Sequence, residues 1–123
     1  MIVLDEQLSK PRITQDIARW YRGAIVNISD LRPATQILDD AIPTLLRTVA
    51  NPTFVTINYN DFWRIIPARS YYCVVCLKLA QDNSAGVSPL LREVLRLPEF
   101  RTKRARMGCV ISVRESAIDF YRA

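Results

Sequence analysis

Acidic residues recur where short apolar runs end. Asp5 and Glu6 follow Ile2-Val-Leu4, Asp30 closes the run that starts at Ala24, Asp39 and Asp40 precede Pro43, and Asn58 and Asp61 follow Thr53-Phe-Val-Thr-Ile57. The 123 residues include no histidine. That removes the commonest general base, the Ser-His and Cys-His nucleophile systems and any His-bearing zinc site, so proton or metal chemistry falls to carboxylates. Carboxylates gathered without cationic neighbours repel one another until a cation neutralises them. The expected partner is a hard divalent ion, Mg²⁺ or Mn²⁺, held by one to three carboxylates with water in its other positions. Such an ion activates water and stabilises charge on a transferring phosphoryl group, which is the chemistry of phosphodiester hydrolysis. Taken singly, each acid has a plainer reading: Asp39 and Asp40 stand where an aspartate caps the free amides of a helix start.

The elements that must gather these acids follow from pattern. Ile2 to Asp5 is too short for an amphipathic helix and apolar enough for a strand buried on both faces. Ser9 with Pro11 marks a helix start, and Ile13, Ile17 and Trp20 form its stripe up to Gly23. Ala24 to Ile28 is a short strand, followed by a turn over Leu31-Arg-Pro-Ala34. Proline is comfortable only in a helix's first turn, so Pro43 sets a start near Asp39 or Asp40, with Ile42, Leu45, Leu46 and Val49 as the apolar face. Asn51-Pro52 breaks it. Further strands are expected over Thr53–Ile57, Tyr71–Leu79 and Cys109–Val113, with a helix from Ser88-Pro89 burying Leu90, Leu91, Val94 and Leu95. A returning edge strand, Ser116 to Tyr121, closes a hairpin through Glu115-Ser-Ala. The alternation of strand and helix favours a mainly parallel sheet covered on both faces, with the acids at the edge where its strands end. In open α/β sheets ligands bind at that edge.

Size and composition bound the rest. A chain of this length forms one domain over residues 1–123 and buries about two thirds of its unfolded surface without a metal or disulfide staple. No apolar run reaches the roughly 18 residues of a membrane span, and the start lacks the pattern of a signal peptide, so a cytoplasmic protein is expected. Cys73, Cys76 and Cys109 leave an odd cysteine over, as in a reducing compartment. Cys73 and Cys76 lie three apart within a strand and so face opposite sides, which suits core cysteines better than a redox or zinc pair. Residues 1–62 carry net charge −1 and residues 63–123 net +6. Arg101-Thr-Lys-Arg-Ala-Arg106 holds four of the late cations, and with Arg64 and Arg69 these form the candidate contacts to a phosphate backbone. Phe62 and Trp63 read as core aromatics, with base stacking the alternative.

Four segments carry a resemblance. Leu4-Asp-Glu-Gln-Leu-Ser9, Ser29-Asp-Leu31, Asp39-Asp-Ala-Ile42 and Val55-Thr-Ile-Asn-Tyr-Asn-Asp-Phe62 resemble, in order and spacing, the D-E-N-L-P/S, R-D-L, D-E-E-I and V-T-x-D-x-D-F segments of a small PIN-like family. The resemblance implies a three-layer α/β/α fold with about five mainly parallel strands and a C-terminal hairpin or edge strand. It implies an Mg²⁺- or Mn²⁺-dependent ribonuclease, the toxin of a bacterial toxin-antitoxin pair, with RNA and a cognate antitoxin as partners. Asp5, Asp40 and Asp61 would be its catalytic metal ligands, with Glu6, Asp39 and Asn58 as further candidates. Family members often dimerise, and Tyr71-Tyr72 and the C-terminal hairpin are the candidate surfaces. Asn58 stands where the family carries an aspartate, the next stretch is one residue longer, and no fourth carboxylate is evident, since Glu93 lies inside its helix. The alternative is therefore a PIN-like protein of weakened or lost catalysis that binds nucleic acid or a partner. A receiver domain also places acids after its first and third strands. It needs an aspartate at the position of Asn58 and a lysine at that of Arg114, and neither is present.

Overall fold

A computed structural model of the chain describes residues 1–115 and 117–123. Six strands form one sheet: β1 (Ile2–Leu4), β2 (Ile25–Asn27), β3 (Thr53–Thr56), β4 (Cys73–Leu77), β5 (Cys109–Arg114) and β6 (Ala117–Arg122). Their order is β2-β1-β3-β4-β5-β6, and all neighbours are parallel except β5 and β6, which pair antiparallel. The expected C-terminal hairpin is present. Its turn begins at Glu115, whose φ of 46° lies in the left-handed region, and the expected first residue of its second strand, Ser116, lies outside the described residues.

The sheet is covered on both faces by α1 (Pro11–Ala18), α2 (Ile42–Leu46), α3 (Tyr59–Phe62) and α4 (Val87–Arg96). Strand periodicity divides the core. Ile2, Leu4, Val55, Cys73, Val75, Leu77, Cys109, Ile111 and Val113 face α1 and α4; Val3, Phe54, Val74, Cys76 and Val110 face α2 and α3. Cys73 and Cys76 are thus core residues of opposite layers, and burial pushes the Cys76 thiol up to about 12. α1 buries Ile13 and Ile17, one turn apart; α4 buries Val87, Leu91, Val94 and Leu95, the i, i+4, i+7, i+8 stripe of a helix lying on a core. Pro11 and Pro43 occupy first turns, as their missing amide protons require. Among the described residues no helix is long and apolar enough to cross a membrane.

Three local expectations need correction. The helix ahead of Pro43 does not begin at Asp39: a 3-10 turn covers Asp39–Ala41, and α2 ends at Leu46, before Val49. Tyr72 is no exposed dimer surface, because its ring is fully buried and its hydroxyl donates to the Pro67 carbonyl, which leaves only Tyr71 half exposed. The basic segment forms one turn of helix, α5 (Lys103–Arg106), with the Thr102 hydroxyl accepting from the Ala105 amide at 3.0 Å. Arg106 turns inward and is only 3 % exposed. Its Nε donates to Thr53 Oγ1 at 2.8 Å and its Nη1 to the carbonyls of Phe100 and Arg101 at 3.2 and 3.4 Å. It is a structural cation that ties α5 to the start of β3, not a nucleic-acid contact.

Gly108 leads into β5 at φ +90°, where a side chain would be strained, and its N–H donates to the Tyr72 carbonyl at 2.8 Å. Truncating Arg106 leaves the Thr53 hydroxyl and two carbonyls unpartnered in the interior. Arg106→Ala is expected to lower stability by roughly 2–4 kcal/mol in urea unfolding. The exposed Arg104→Ala is expected to stay within about 0.5 kcal/mol of the parent.

Candidate acidic site at the sheet's reversal point

From β1 the chain steps outward to β2 and then returns to β3 on the other side of β1. Strand order therefore reverses between β1 and β3, and a crevice opens beyond their carboxyl ends, the usual ligand position in such sheets. Asp5 sits at that point. Its N–H donates to the Val55 carbonyl at 3.0 Å, which continues the β1–β3 pairing by one residue. Its Oδ1 accepts from the Glu6 amide at 2.8 Å and its Oδ2 from the Thr56 hydroxyl at 2.7 Å. The Thr56 oxygen accepts in turn from the Asn58 amide at 3.0 Å. One chain of hydrogen bonds thus joins the ends of both strands.

A hollow of about 180 Å³ lies beside this chain, walled by Asp5, Glu6, Asp39 and Asn58 and floored by Ile28, Ile37 and Ile42. Asp5 is 8 % exposed, and burial raises its pKa against the lowering effect of its two hydrogen bonds. Asp39 is also raised, first by burial and then by the charges of Asp5, Asp61 and Asp40. The charges beyond both strand ends, Asp5 and Asp61, thus act on Asp39. Asp40 lines a neighbouring hollow of about 350 Å³ with Asp39, Asp61, Phe62 and Ile65. Asp61 is exposed, and one of its oxygens accepts from Asn58 Nδ2 at 2.8 Å. The Asn58 carbonyl oxygen is then the atom left to face a cation. Asp30 stands apart as a cap, accepting from the Asn27 amide at 3.0 Å.

The donors are all hard oxygens, the type that Mg²⁺ and Mn²⁺ take. They do not form a closed cage: among the described residues, no three acidic or cysteine side chains stand close enough to hold one ion together. Asp5 and Asp39 share a hollow, Asp39, Asp40 and Asp61 share the next, and Asp39 alone of these acids lines both.

The candidate cations stand elsewhere. Arg69 precedes β4 and Arg101, Lys103 and Arg104 precede β5, so they lie where the parallel strands begin. The acids lie where those strands end, about 15 Å away for a strand of this length. The amine of Met1, at the start of β1, is lowered by burial and by Lys103 and Arg106, which places those cations at that edge. Arg64 lies over the Trp63 ring, its carbon 5.6 Å from the ring centre, beside Phe120. Phe62 is buried against Phe54, and Trp63 packs on Tyr59 and Tyr121.

Comparison with known protein families, curated proteins and solved structures finds no match in any of the three. Thr56 went unnoticed in the sequence, although extending the β1–β3 register from Leu4↔Val55 places it beside Asp5.

Because its folded pKa is raised, Asp5 holds its proton more tightly folded than unfolded. That contribution to stability is complete below the ordinary carboxylate range and is lost as pH rises through the raised value. Asp5→Asn removes the charge and keeps donor-acceptor partners for Glu6 and Thr56. In urea unfolding it is expected to be more stable than the parent at pH 7, with the difference vanishing in acid. Lower stability of the variant at pH 7 would mean that the two hydrogen bonds outweigh burial.

Proposed function

We propose that this chain is a PIN-like, metal-dependent ribonuclease of the cytoplasm, the toxin half of a bacterial toxin-antitoxin pair. The observation that carries the reading is the pair Asp5 and Asp39, which share a hollow at the reversal point with no ion pair to either among the described residues. Like charges in such a place call for a cation, and a cation held at the ligand-binding edge of the sheet suits a phosphodiester. The toxin role, the antitoxin partner and a homodimer rest on the resemblance of the four sequence segments.

Asp5 and Asp39 would hold the ion, with Glu6 and the Asn58 carbonyl at the rim; Asp40 and Asp61 act from the adjoining hollow. Mg²⁺ or Mn²⁺ there would lower the pKa of a bound water and stabilise charge on the phosphoryl oxygens. The chain's own residues supply position and electrostatics. The Glu6 amide and Thr56 hydroxyl fix the plane of the Asp5 carboxylate, each taking one lone pair of one oxygen and leaving others for a ligand. Asn58 fixes Asp61 in the same way. A second reading, a binding protein of weakened catalysis, draws on Asn58 and on the open ligand set.

Mn²⁺ titration and RNA cleavage separate the two. Mn²⁺ is expected to raise the melting temperature of the parent and not of Asp5→Asn. Asp5→Asn and Asp39→Asn should each reduce EDTA-sensitive cleavage at least a hundredfold, and Asp40→Asn by less than tenfold. Equal cleavage by Asp5→Asn would remove the site from the chemistry; Mn²⁺ binding without cleavage would favour the binding protein.

A further inference from the structure

Away from the acidic hollow, an open groove of about 890 Å³ lies between the outer faces of α1 and α4. Arg12 and Arg19 line one wall, Arg92 and Arg96 the other, and all four are exposed. Arg12 and Arg19 are two helical turns apart and Arg92 and Arg96 one turn, so each pair shares a face. Asp16 and Glu93 also line the groove. The one ion pair among the described residues is Arg114–Asp119 on the hairpin, so neither acid is locked to a guanidinium, and the charged side chains lining the groove carry a net +2. The Trp20 indole, partly buried against the core layer of α1 and α4, is pinned here, its Nε1 donating to Ser88 Oγ at 2.8 Å and its ring edge-on to Tyr21.

We propose that the α1/α4 groove binds single-stranded nucleic acid, with guanidinium forks on the phosphates and the Trp20 indole against a base. A guanidinium fork matches two phosphate oxygens at once, which a lysine ammonium does not, and every cation lining this groove is arginine. Stacking on an aromatic face adds sequence-tolerant affinity, and an indole already held by a hydrogen bond loses little freedom on binding. An acidic peptide offers the forks carboxylates but does not couple a ring to each anionic group as a nucleotide does, so nucleic acid is the better fit. Along the chain the groove's lining runs from Arg12 to Leu97. Its use as a path to the acidic hollow rests on the nuclease reading; binding itself does not.

Fluorescence anisotropy of a labelled single-stranded oligoribonucleotide, in EDTA throughout, tests the assignment. The double variant Arg92→Ala/Arg96→Ala is expected to bind at least tenfold more weakly at low salt. Its slope of log affinity against log salt should fall by about 1.4, two phosphate contacts at about 0.7 each. Arg101→Ala/Arg104→Ala removes the same charge from outside the groove and should change affinity less than threefold. All the altered arginines are exposed, so circular dichroism should show the parent fold. Equal losses from both arginine pairs, or no measurable binding by the parent, would overturn the groove. Polyglutamate displacing the oligonucleotide at equal charge would assign it to an acidic protein and overturn it as well. Cleavage by the parent with undiminished binding by Arg92→Ala/Arg96→Ala would refute the groove while leaving the nuclease reading standing.

Discussion

The Thr56 hydroxyl donates to the Asp5 carboxylate at 2.7 Å and joins β1 to β3 at the point where strand order reverses. Much of the chain's chemistry depends on that bond. A carboxylate this buried is costly unless hydrogen bonds or a counter-charge compensate it, and the upward shift of Asp5 shows that its two hydrogen bonds do so only in part. Asp39 adds a second negative charge to the same hollow and is itself raised by its neighbours. A cation bound in the crevice would relieve the repulsion between these charges, and the crevice's geometry is set by main-chain and strand-end groups, not by mobile side chains.

The charge asymmetry of the sequence becomes a spatial one. Acids collect where the parallel strands finish, and the 101–106 segment lies where they start. Over about 15 Å, beyond the Debye length of about 8 Å at physiological salt, solvent-exposed charges at the two edges scarcely influence one another. No cation of α5 can clamp a phosphate that the acidic hollow also holds. A ligand that engages both edges must be long, and its path has to cross a helical face of the sheet.

The strands were legible because β1, β3, β4 and β5 are short apolar runs buried on both faces, and Pro11, Pro43 and Pro89 locate first turns with little ambiguity. The opposite facing of Cys73 and Cys76 followed from strand parity alone. The site was less legible. Whether Asp39 or Asp40 turns toward Asp5 depends on the turn they occupy: in a 3-10 turn neighbouring side chains point about 120° apart, and a sequence pattern that fits a helix start does not distinguish them. Arg106 was misplaced for a related reason. Four cations in six residues read as one phosphate-binding surface, but a single turn of helix must aim one of them at the sheet, and the Thr53 hydroxyl and two carbonyls make that inward position tolerable.

The connection through α4 follows from what already covers the other face. The β1-to-β2 and β4-to-β5 crossovers travel in opposite directions along the sheet, yet α1 and α4 lie on the same side, so the two are of opposite hand, against the strong preference for right-handed units. On the far side the segment after β3 has taken the space. Tyr59 reaches Ser112 of β5 through its hydroxyl at 2.7 Å, Trp63 packs on Tyr121 of β6, and the Ile66 carbonyl accepts from the Tyr121 hydroxyl at 2.5 Å. A helix returning there would find β5 and β6 covered, while Cys73, Val75, Leu77, Cys109, Ile111 and Val113 would stay bare on the opposite face. Burying those six side chains recovers on the order of 1.5–3 kcal/mol for each large one, enough to outweigh a preference of hand. The same choice sets α4 beside α1 and turns two sets of solvent-facing arginines into the walls of one groove.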